Sequence, residues 1–191
     1  MSIGFWETLA SINGDGTALT AAARASLTQG ASATMGRFTM PANKMKVGDQ
    51  IHMRAHGRIS CAVTTPGSAR FDLSIAGTAN FDTLAMNLNT TAQTTVPWWL
   101  EAWGTVRAVG TTANIFWAGL TASTAYLNTA AVATGPWTGV VTVPFNTAPA
   151  VGANFDSTIT TLWDLNFTQT VATGSCTLHQ YHLSYMTSTG F

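Results

Sequence analysis

Hydrophobic and polar residues alternate along several short segments of the chain, with the period of two that is typical of half-buried β-strands. In residues 49–61 one face carries Ile51, Met53, Ala55, Gly57, Ile59 and Cys61, while the other carries Gln50, His52, Arg54, His56, Arg58 and Ser60. Residues 70–75 and 97–107 repeat the pattern, with apolar faces formed by Phe71, Leu73 and Ile75 and by Trp98, Leu100, Ala102, Gly104 and Val106. We predict that these faces form the protein interior.

Glycine, proline and asparagine separate the alternating segments at short intervals, as they do in turns between strands. We predict further strands at residues 18–27, 35–40, 79–88, 115–121, 137–144, 157–168 and 175–186. In the last two segments, the side chains predicted to share a face are Ile159, Trp163, Leu165 and Phe167, and then Tyr181, Leu183 and Tyr185. Apart from residues 18–27, whose alanine run is also compatible with a helix, these segments give eight strands, or nine with residues 79–88. Without a strong helix, they predict an all-β fold, a two-sheet antiparallel jelly-roll sandwich over residues 17–191.

The first 16 residues differ from the rest of the chain. Their apolar side chains precede an Asn-Gly-Asp-Gly turn and are Phe5, Trp6, Leu9 and Ile12. An apolar segment beside a flexible turn is suited to docking on another molecule, so we predict an N-terminal docking arm over residues 1–16. The alternative, which the sequence leaves open, is that the arm packs on its own domain.

Charged side chains are scarce, because 8 basic and 8 acidic residues make up only 8% of the 191 residues and give a net charge of zero. Ordinary domains carry about 25% charged residues, which help to keep copies of a protein apart. We therefore predict an assembly component that covers its surface with copies of itself or with a partner. A nucleic-acid partner is not expected without a basic excess, and a membrane partner is not expected without an apolar run of about 18 residues.

The two cysteines, Cys61 and Cys176, form no CxxC or Cys/His cluster. The N-terminus lacks the basic region and apolar core of a signal peptide, so we expect reduced thiols rather than a disulfide. The chain also lacks the GxSxG, P-loop, HExxH and EF-hand patterns. We accordingly predict no enzymatic activity, no metal and no cofactor.

One strand face concentrates the basic residues His52, Arg54, His56 and Arg58. The two histidines are four residues apart, which is about 13 Å along a strand and too far for one shared zinc ion. We favour a face that is paired with carboxylates or buried in a subunit contact. A solvated face and a site for an anionic ligand or nucleic acid remain alternatives.

The outer face of residues 97–107 combines large aromatic side chains with one acid and one base: Trp99, Glu101, Trp103 and Arg107. Each tryptophan can bury roughly 150–250 Å². Tryptophan and arginine are enriched where protein surfaces meet, so we predict a contact between chains at this face. One alternative is that both faces of the strand are buried within one chain. Another is that the tryptophans stack on sugars beside Glu101.

Short motifs in residues 33–120 resemble a recurrent pattern of tailed-bacteriophage virion proteins. A Pro-Ala-Asn turn and a Val-Gly turn lead into a strand that ends Ala-x-Gly-x-Ile-Ser, and a Thr-Pro-Gly hairpin follows. Later come a Pro-Trp-x-Leu-Glu strand and an Arg-x-Val-Gly turn. The residues concerned are Pro41-Ala42-Asn43, Val47-Gly48, Ala55 to Ser60, Thr65-Pro66-Gly67, Pro97 to Glu101 and Arg107 to Gly110.

The resemblance implies a tumour-necrosis-factor-like jelly roll, commonly trimeric, in a capsid-decoration, head-fibre or tail-associated protein. Our hypothesis is a non-enzymatic, trimeric capsid decoration (cement) protein, assembled into the virion in the host cytoplasm. Its expected partners are its own copies and the major capsid protein or another virion protein. The alternatives are a fibre, neck or tail protein that binds a host glycan, and an intracellular carbohydrate-binding jelly roll.

Overall fold

A computed structural model describes residues 5–12, 14–29, 36–62, 67–126, 139–145, 147–172 and 174–188. This part of the chain forms twelve strands and contains no helix. The strands are β1 (Trp6–Ser11), β2 (Arg24–Ser26), β3 (Phe38–Met40), β4 (Gln50–Cys61), β5 (Ser68–Ile75), β6 (Thr78–Asp82), β7 (Met86–Asn87), β8 (Gln93–Ala108), β9 (Asn114–Ser123), β10 (Val140–Val143), β11 (Thr161–Gln169) and β12 (Ser175–Met186).

The strands pair antiparallel in two sheets. Sheet A has the order β1-β12-β4-β8-β9-β10, and sheet B has the order β2-β11-β5-β6, with β3 also paired to β11 and β7 to β5. The chain changes sheet between β1 and β2, β3 and β4, β4 and β5, β7 and β8, β10 and β11, and β11 and β12, as in a jelly roll. The predicted two-sheet sandwich is confirmed. The strand number exceeds the prediction because residues 6–11 form the additional strand β1 and because the predicted segment 79–88 is divided between β6 and β7.

The core lies between the sheets and is rich in aromatic rings. Phe71 of β5 meets Trp98 of β8 at a ring distance of 4.6 Å and Phe167 of β11 at 5.1 Å. The inward faces predicted for β4, β5 and β8 are buried. Cys61 and Cys176 are buried as free thiols, and burial raises the pKa of Cys176.

Several strand boundaries differ from the predictions. Within residues 18–27 only β2 is a strand, although Leu19 makes one bridge to Cys176. Strand β11 begins at Thr161, so Ile159 lies in the preceding turn and is exposed. Residues 30–35, 63–66 and 127–138 lie outside the described part of the chain, and with them the Thr-Pro part of the predicted hairpin and the first positions of two predicted strands.

A β-bulge in β12 explains why its inward face is hard to identify from the sequence. The register with β4 shifts between Leu178 and Gln180. The extra residue changes which positions point inward, so that Cys176 and Leu178 before the bulge and Tyr181 and Leu183 after it are all buried. A strict period of two cannot describe both halves of the strand. The inward positions predicted for Tyr181, Leu183 and Tyr185 are confirmed.

The N-terminal segment contributes an edge strand to the sandwich. Strand β1 pairs with β12, Ala10 is buried, and Leu9 and Ile12 pack against the core. The side chains of Phe5 and Trp6 remain 77% and 49% exposed. Of the two alternatives for the arm, the structure shows packing on its own domain for these inner residues. A docking role therefore narrows to Phe5 and Trp6.

Gly57 marks the tightest approach in the middle of sheet A. A Cβ atom at this position would overlap the Thr177 carbonyl oxygen of β12 and lie 2.7 Å from Nε1 of Trp98. That indole nitrogen donates a hydrogen bond to the same carbonyl at 3.3 Å. The absence of a side chain at Gly57 therefore lets β12, β4 and the buried Trp98 meet.

We expect Gly57→Ala to lower the free energy of unfolding by about 1–3 kcal/mol, because the strands or the indole must move apart. Chemical denaturation of both proteins measures this loss. Gly77→Ala is the control, since a Cβ there meets nothing within 4 Å and only the positive φ of 84° opposes it. Its expected cost is about 1 kcal/mol. A Gly57→Ala loss no larger than that of Gly77→Ala would contradict the proposed close approach.

Candidate functional site

The two polar stripes singled out in the sequence lie side by side on the outer face of sheet A. The register of β4 and β8 places His52 opposite Trp103, Arg54 opposite Glu101 and His56 opposite Trp99. Side chains directly opposite on one face of an antiparallel pair are close enough to contact each other. The stripes therefore form one surface.

Glu101 is the centre of this surface. Its carboxylate binds Nε2 of His52 at 2.6 Å and lies 3.6 Å from Nε of Arg54. The ring of His52 stacks on Trp103 at 5.3 Å, and Trp6 of β1 approaches its other side at 6.0 Å. The side chain of Glu101 is only 12% exposed. The single acid of this surface is thus already compensated by groups of its own chain.

From β8 across β9 to β10, the outer face of sheet A is largely apolar. Trp103 is 45% exposed and Val140 of β10 is 56% exposed. The guanidinium of Arg107 lies 5.1 Å from the ring centre of Phe116, at the edge of this region. We name this region the aromatic half; it consists of Trp99, Trp103, Phe116, Ala118, Leu120, Ala122 and Val140. The exposure of Trp103 excludes the alternative that its strand is buried on both faces within the chain.

On the other side of β8 the outer face is polar. The register of β12 with β4 places His182 opposite Arg54 and Gln180 opposite His56. These four side chains form the floor of a concavity of about 500 Å³, with Ile12 at its side. We name this region the basic half. Arg58 lies further along β4 and is exposed.

Sequence reasoning missed Gln180 and His182 as members of this surface. Their positions follow from the inward face of Tyr181, Leu183 and Tyr185, since the residues between these point outward. What the sequence does not reveal is that β12 lies beside β4. The pairing of strands so distant in the chain is a tertiary property.

Two imidazoles of the basic half have lowered pKa values. Burial lowers the pKa of His56, and the charge of Arg54 lowers it further, against a smaller raising effect of Glu101. Burial likewise lowers the pKa of His182, with His52 and Arg54 acting in the same direction. Both imidazoles are therefore neutral at neutral pH.

The charges of the chain are distributed unevenly over the two sheets. Sheet B pairs each of its outer arginines with a carboxylate: Arg24 with Asp72, Arg37 with Asp164 and Arg70 with Asp82. Among the described outward-facing residues of β4, β8, β9, β10 and β12, by contrast, Glu101 is the one carboxylate, and the arginines are Arg54, Arg58 and Arg107. A chain with no net charge thus has a positive excess on one face.

Among the described residues, no group of three or more histidine, cysteine, aspartate or glutamate side chains is placed to hold a metal ion. No helix in the same part of the chain is long and apolar enough to cross a membrane.

No protein-family model matches the chain, and no curated protein matches it. Among solved structures, the chain is similar to the CBM2 module of the evolved Dit of Lactobacillus casei BL23 phage J-1. The match covers 81% of this chain and 70% of that chain, with 8% sequence identity and a TM-score of 0.32. A TM-score this low carries no conclusion about fold or function.

The lowered pKa values predict that the protein loses stability in mild acid. Below about pH 6.5 the unfolded histidines bind protons that folded His56 and His182 resist, so the free energy of unfolding falls as pH falls. Thermal unfolding near pH 7.5 and pH 5.5 should show this drop in Tm. The double variant His56→Gln/His182→Gln should show a smaller drop.

The matched control is His179→Gln, because His179 lies on the same strand but pairs with Asp15 at 2.6 Å. It should keep the drop of the wild type, because His56 and His182 are both still present. If the Tm of the double variant falls between pH 7.5 and pH 5.5 by as much as the Tm of the wild type, other groups cause the acid sensitivity.

Proposed function

We propose that the protein is a non-enzymatic structural component of a tailed-bacteriophage virion that associates with copies of itself through the aromatic half of sheet A. The exposed aromatic half is the observation that carries this proposal. Contiguous exposed apolar surface is costly in water and marks interaction sites. Aromatic residues and arginine are the types enriched in such contacts. The aromatic half contains Trp99, Trp103 and Phe116, and Arg107 lies over the Phe116 ring.

The polar contacts of this surface support its burial in an interface. A charge buried without a partner is strongly destabilising. Glu101 already has His52 and Arg54 as partners within its own chain. A second copy could therefore cover the aromatic half without leaving this carboxylate unpaired.

A closed trimer is the proposed form of the assembly. Closed rotational symmetry hides apolar patches without leaving ends that continue to grow. The jelly-roll sandwich agrees with the fold that the phage-like motifs of residues 33–120 imply.

The proposed location of the protein is the capsid surface, as a decoration protein in contact with the major capsid protein. A fibre, neck or tail protein is the alternative place.

A second candidate function is glycan binding. Trp6 and Trp103 are both about half exposed and approach the two sides of His52. Exposed rings beside hydrogen-bonding groups such as Glu101 can stack on sugars. A glycan array probed with the wild type and with Trp103→Ala tests this function, which requires saturable binding that the variant loses.

Self-association is tested by light scattering of the purified protein. We expect about three times the chain mass of 20.1 kDa. Trp103→Ala should remain folded but associate more weakly, so that it already dissociates at protein concentrations at which the wild type stays assembled. The expected loss of association free energy is about 2 kcal/mol per contact. Trp6→Ala is the matched control, because Trp6 has similar exposure on the same sheet but lies outside the aromatic half.

A clean wild-type monomer at micromolar concentration would contradict the proposal. So would a Trp103→Ala protein that unfolds without a separate assembly defect, because the side chain would then belong to the core.

Attachment to the particle is expected to involve Phe5 and Trp6. Deleting residues 1–13 would also remove the hydrogen bonds of β1 to β12, so point variants are the sharper test. Phe5→Ala/Trp6→Ala should leave the trimer intact and reduce the amount of protein bound to particles, measured by sedimentation and gel densitometry. Unchanged binding would show that the N-terminal segment is only an edge strand.

A further inference from the structure

We propose that the concavity between β4 and β12 binds an oxyanion, the carboxylate or phosphate group of a small acidic ligand. The concavity is open to solvent and has a volume of about 500 Å³. Its lining is Ile12, Arg54, His56, Gln180, Tyr181 and His182.

Arg54 supplies the charge for this site. Its side chain is 51% exposed, and its closest carboxylate is Glu101, at 3.6 Å from Nε. Glu101 makes its short contact with His52 instead, at 2.6 Å. The guanidinium has five N–H donors, and within the described residues no carboxylate forms a bidentate pair with it. The ion pair with Glu101 is made at Nε of Arg54, so an oxyanion could bind the terminal N–H groups of the guanidinium while this ion pair remains.

The other polar side chains of the lining also offer N–H groups. His56 lines the concavity, but its Nε2 atom is buried and has no hydrogen-bond partner in the described part of the chain, so a ligand reaches this atom only when the ring turns. Nε2 of His182 lies 3.2 Å from the Thr8 hydroxyl, which leaves its other ring nitrogen for a ligand. The amide of Gln180 can donate two further hydrogen bonds.

The chemistry of the lining selects an anion over a cation. A cation needs oxygen or deprotonated nitrogen and sulfur ligands, whereas arginine can only donate. None of the described residues that line the concavity carries a carboxylate. The three arginines on this face exceed its one carboxylate, and a concave surface of one sign raises the local concentration of the opposite ion.

The site is separate from the proposed self-association surface. The concavity lies on the β12 side of β4, whereas the aromatic half lies on β8, β9 and β10. A copy bound at the aromatic half can leave the concavity open. A protein that fails to self-associate could therefore still bind an oxyanion, and the reverse also holds.

Binding of an oxyanion should be linked to proton uptake. The pKa values of His56 and His182 are lowered by burial and by nearby positive charge. A bound negative charge opposes that effect and favours the imidazolium form. The affinity should accordingly rise as the pH falls towards 6.

The test is an NMR titration of the full chain that follows the histidine ring protons. The probes are inorganic phosphate and glucuronate, each added at constant ionic strength near pH 6 and near pH 7.5. Glucuronate keeps its charge over this range, so its pH dependence reports on the protein. We expect saturable shifts of His56 and His182, with tighter glucuronate binding at the lower pH.

The decisive comparison is Arg54→Gln with Arg58→Gln, which remove the same charge from the same face of β4. Arg54→Gln should weaken binding by at least about tenfold, and Arg58→Gln should leave it nearly unchanged. Saturable binding of phosphate alone or of glucuronate alone supports the site and identifies the acidic group it accepts. The proposal is overturned if neither probe gives saturable shifts, or if both variants weaken binding equally. Far-ultraviolet circular dichroism confirms that both variants are folded.

Discussion

Both faces of sheet A depend on the alternation of side chains along β4. This strand lies between β8 and β12, and every second side chain, including Ile51, Met53 and Ala55, is buried in the core. Because the period is two, burying these residues fixes the intervening side chains on the outer face. A slip of one residue would bury Arg54 and expose the core, so the register of the whole sheet is strongly specified. Gly57 adds to this constraint, since it admits the backbone of β12 and the indole of Trp98 at closest range.

The outer face built on β4 combines two surfaces with different chemistry. On the β8 side, large apolar side chains remain exposed in a chain with few charges, which is the physical basis for proposing self-association. On the β12 side, Arg54, His56 and His182 line a concavity in which no described residue contributes a carboxylate. Glu101 separates the two by binding His52 and attracting Arg54. Because the charge of Glu101 is neutralised by its own chain, the apolar surface can be buried in an interface. The terminal N–H groups of Arg54 stay available to a ligand.

Sheet B shows the opposite use of charge. Asp72 and Asp164 are buried on its outer face, where Arg24 and Arg37 pair with them and Asn166 donates to Asp72 at 3.3 Å. Buried carboxylates with such partners hold β2 and the residues before β3 against the sheet, and removing one partner from a buried pair is strongly destabilising. Most of the acidic residues that could neutralise the basic half are therefore committed elsewhere. The asymmetry between sheets arises from this structural use of aspartate.

The amino-acid sequence by itself determined the fold class, the inward faces of β4, β5 and β8, and the two stripes of candidate interface residues, because period-two alternation is a local property. It did not determine that Leu9 and Ile12 pack on their own sandwich, since an apolar segment can be buried by any apolar surface. It also missed Gln180 and His182, because the pairing of β12 with β4 joins residues more than a hundred positions apart. The tertiary structure alone decided which stripes meet, since register between distant strands is set by the packing of the whole core.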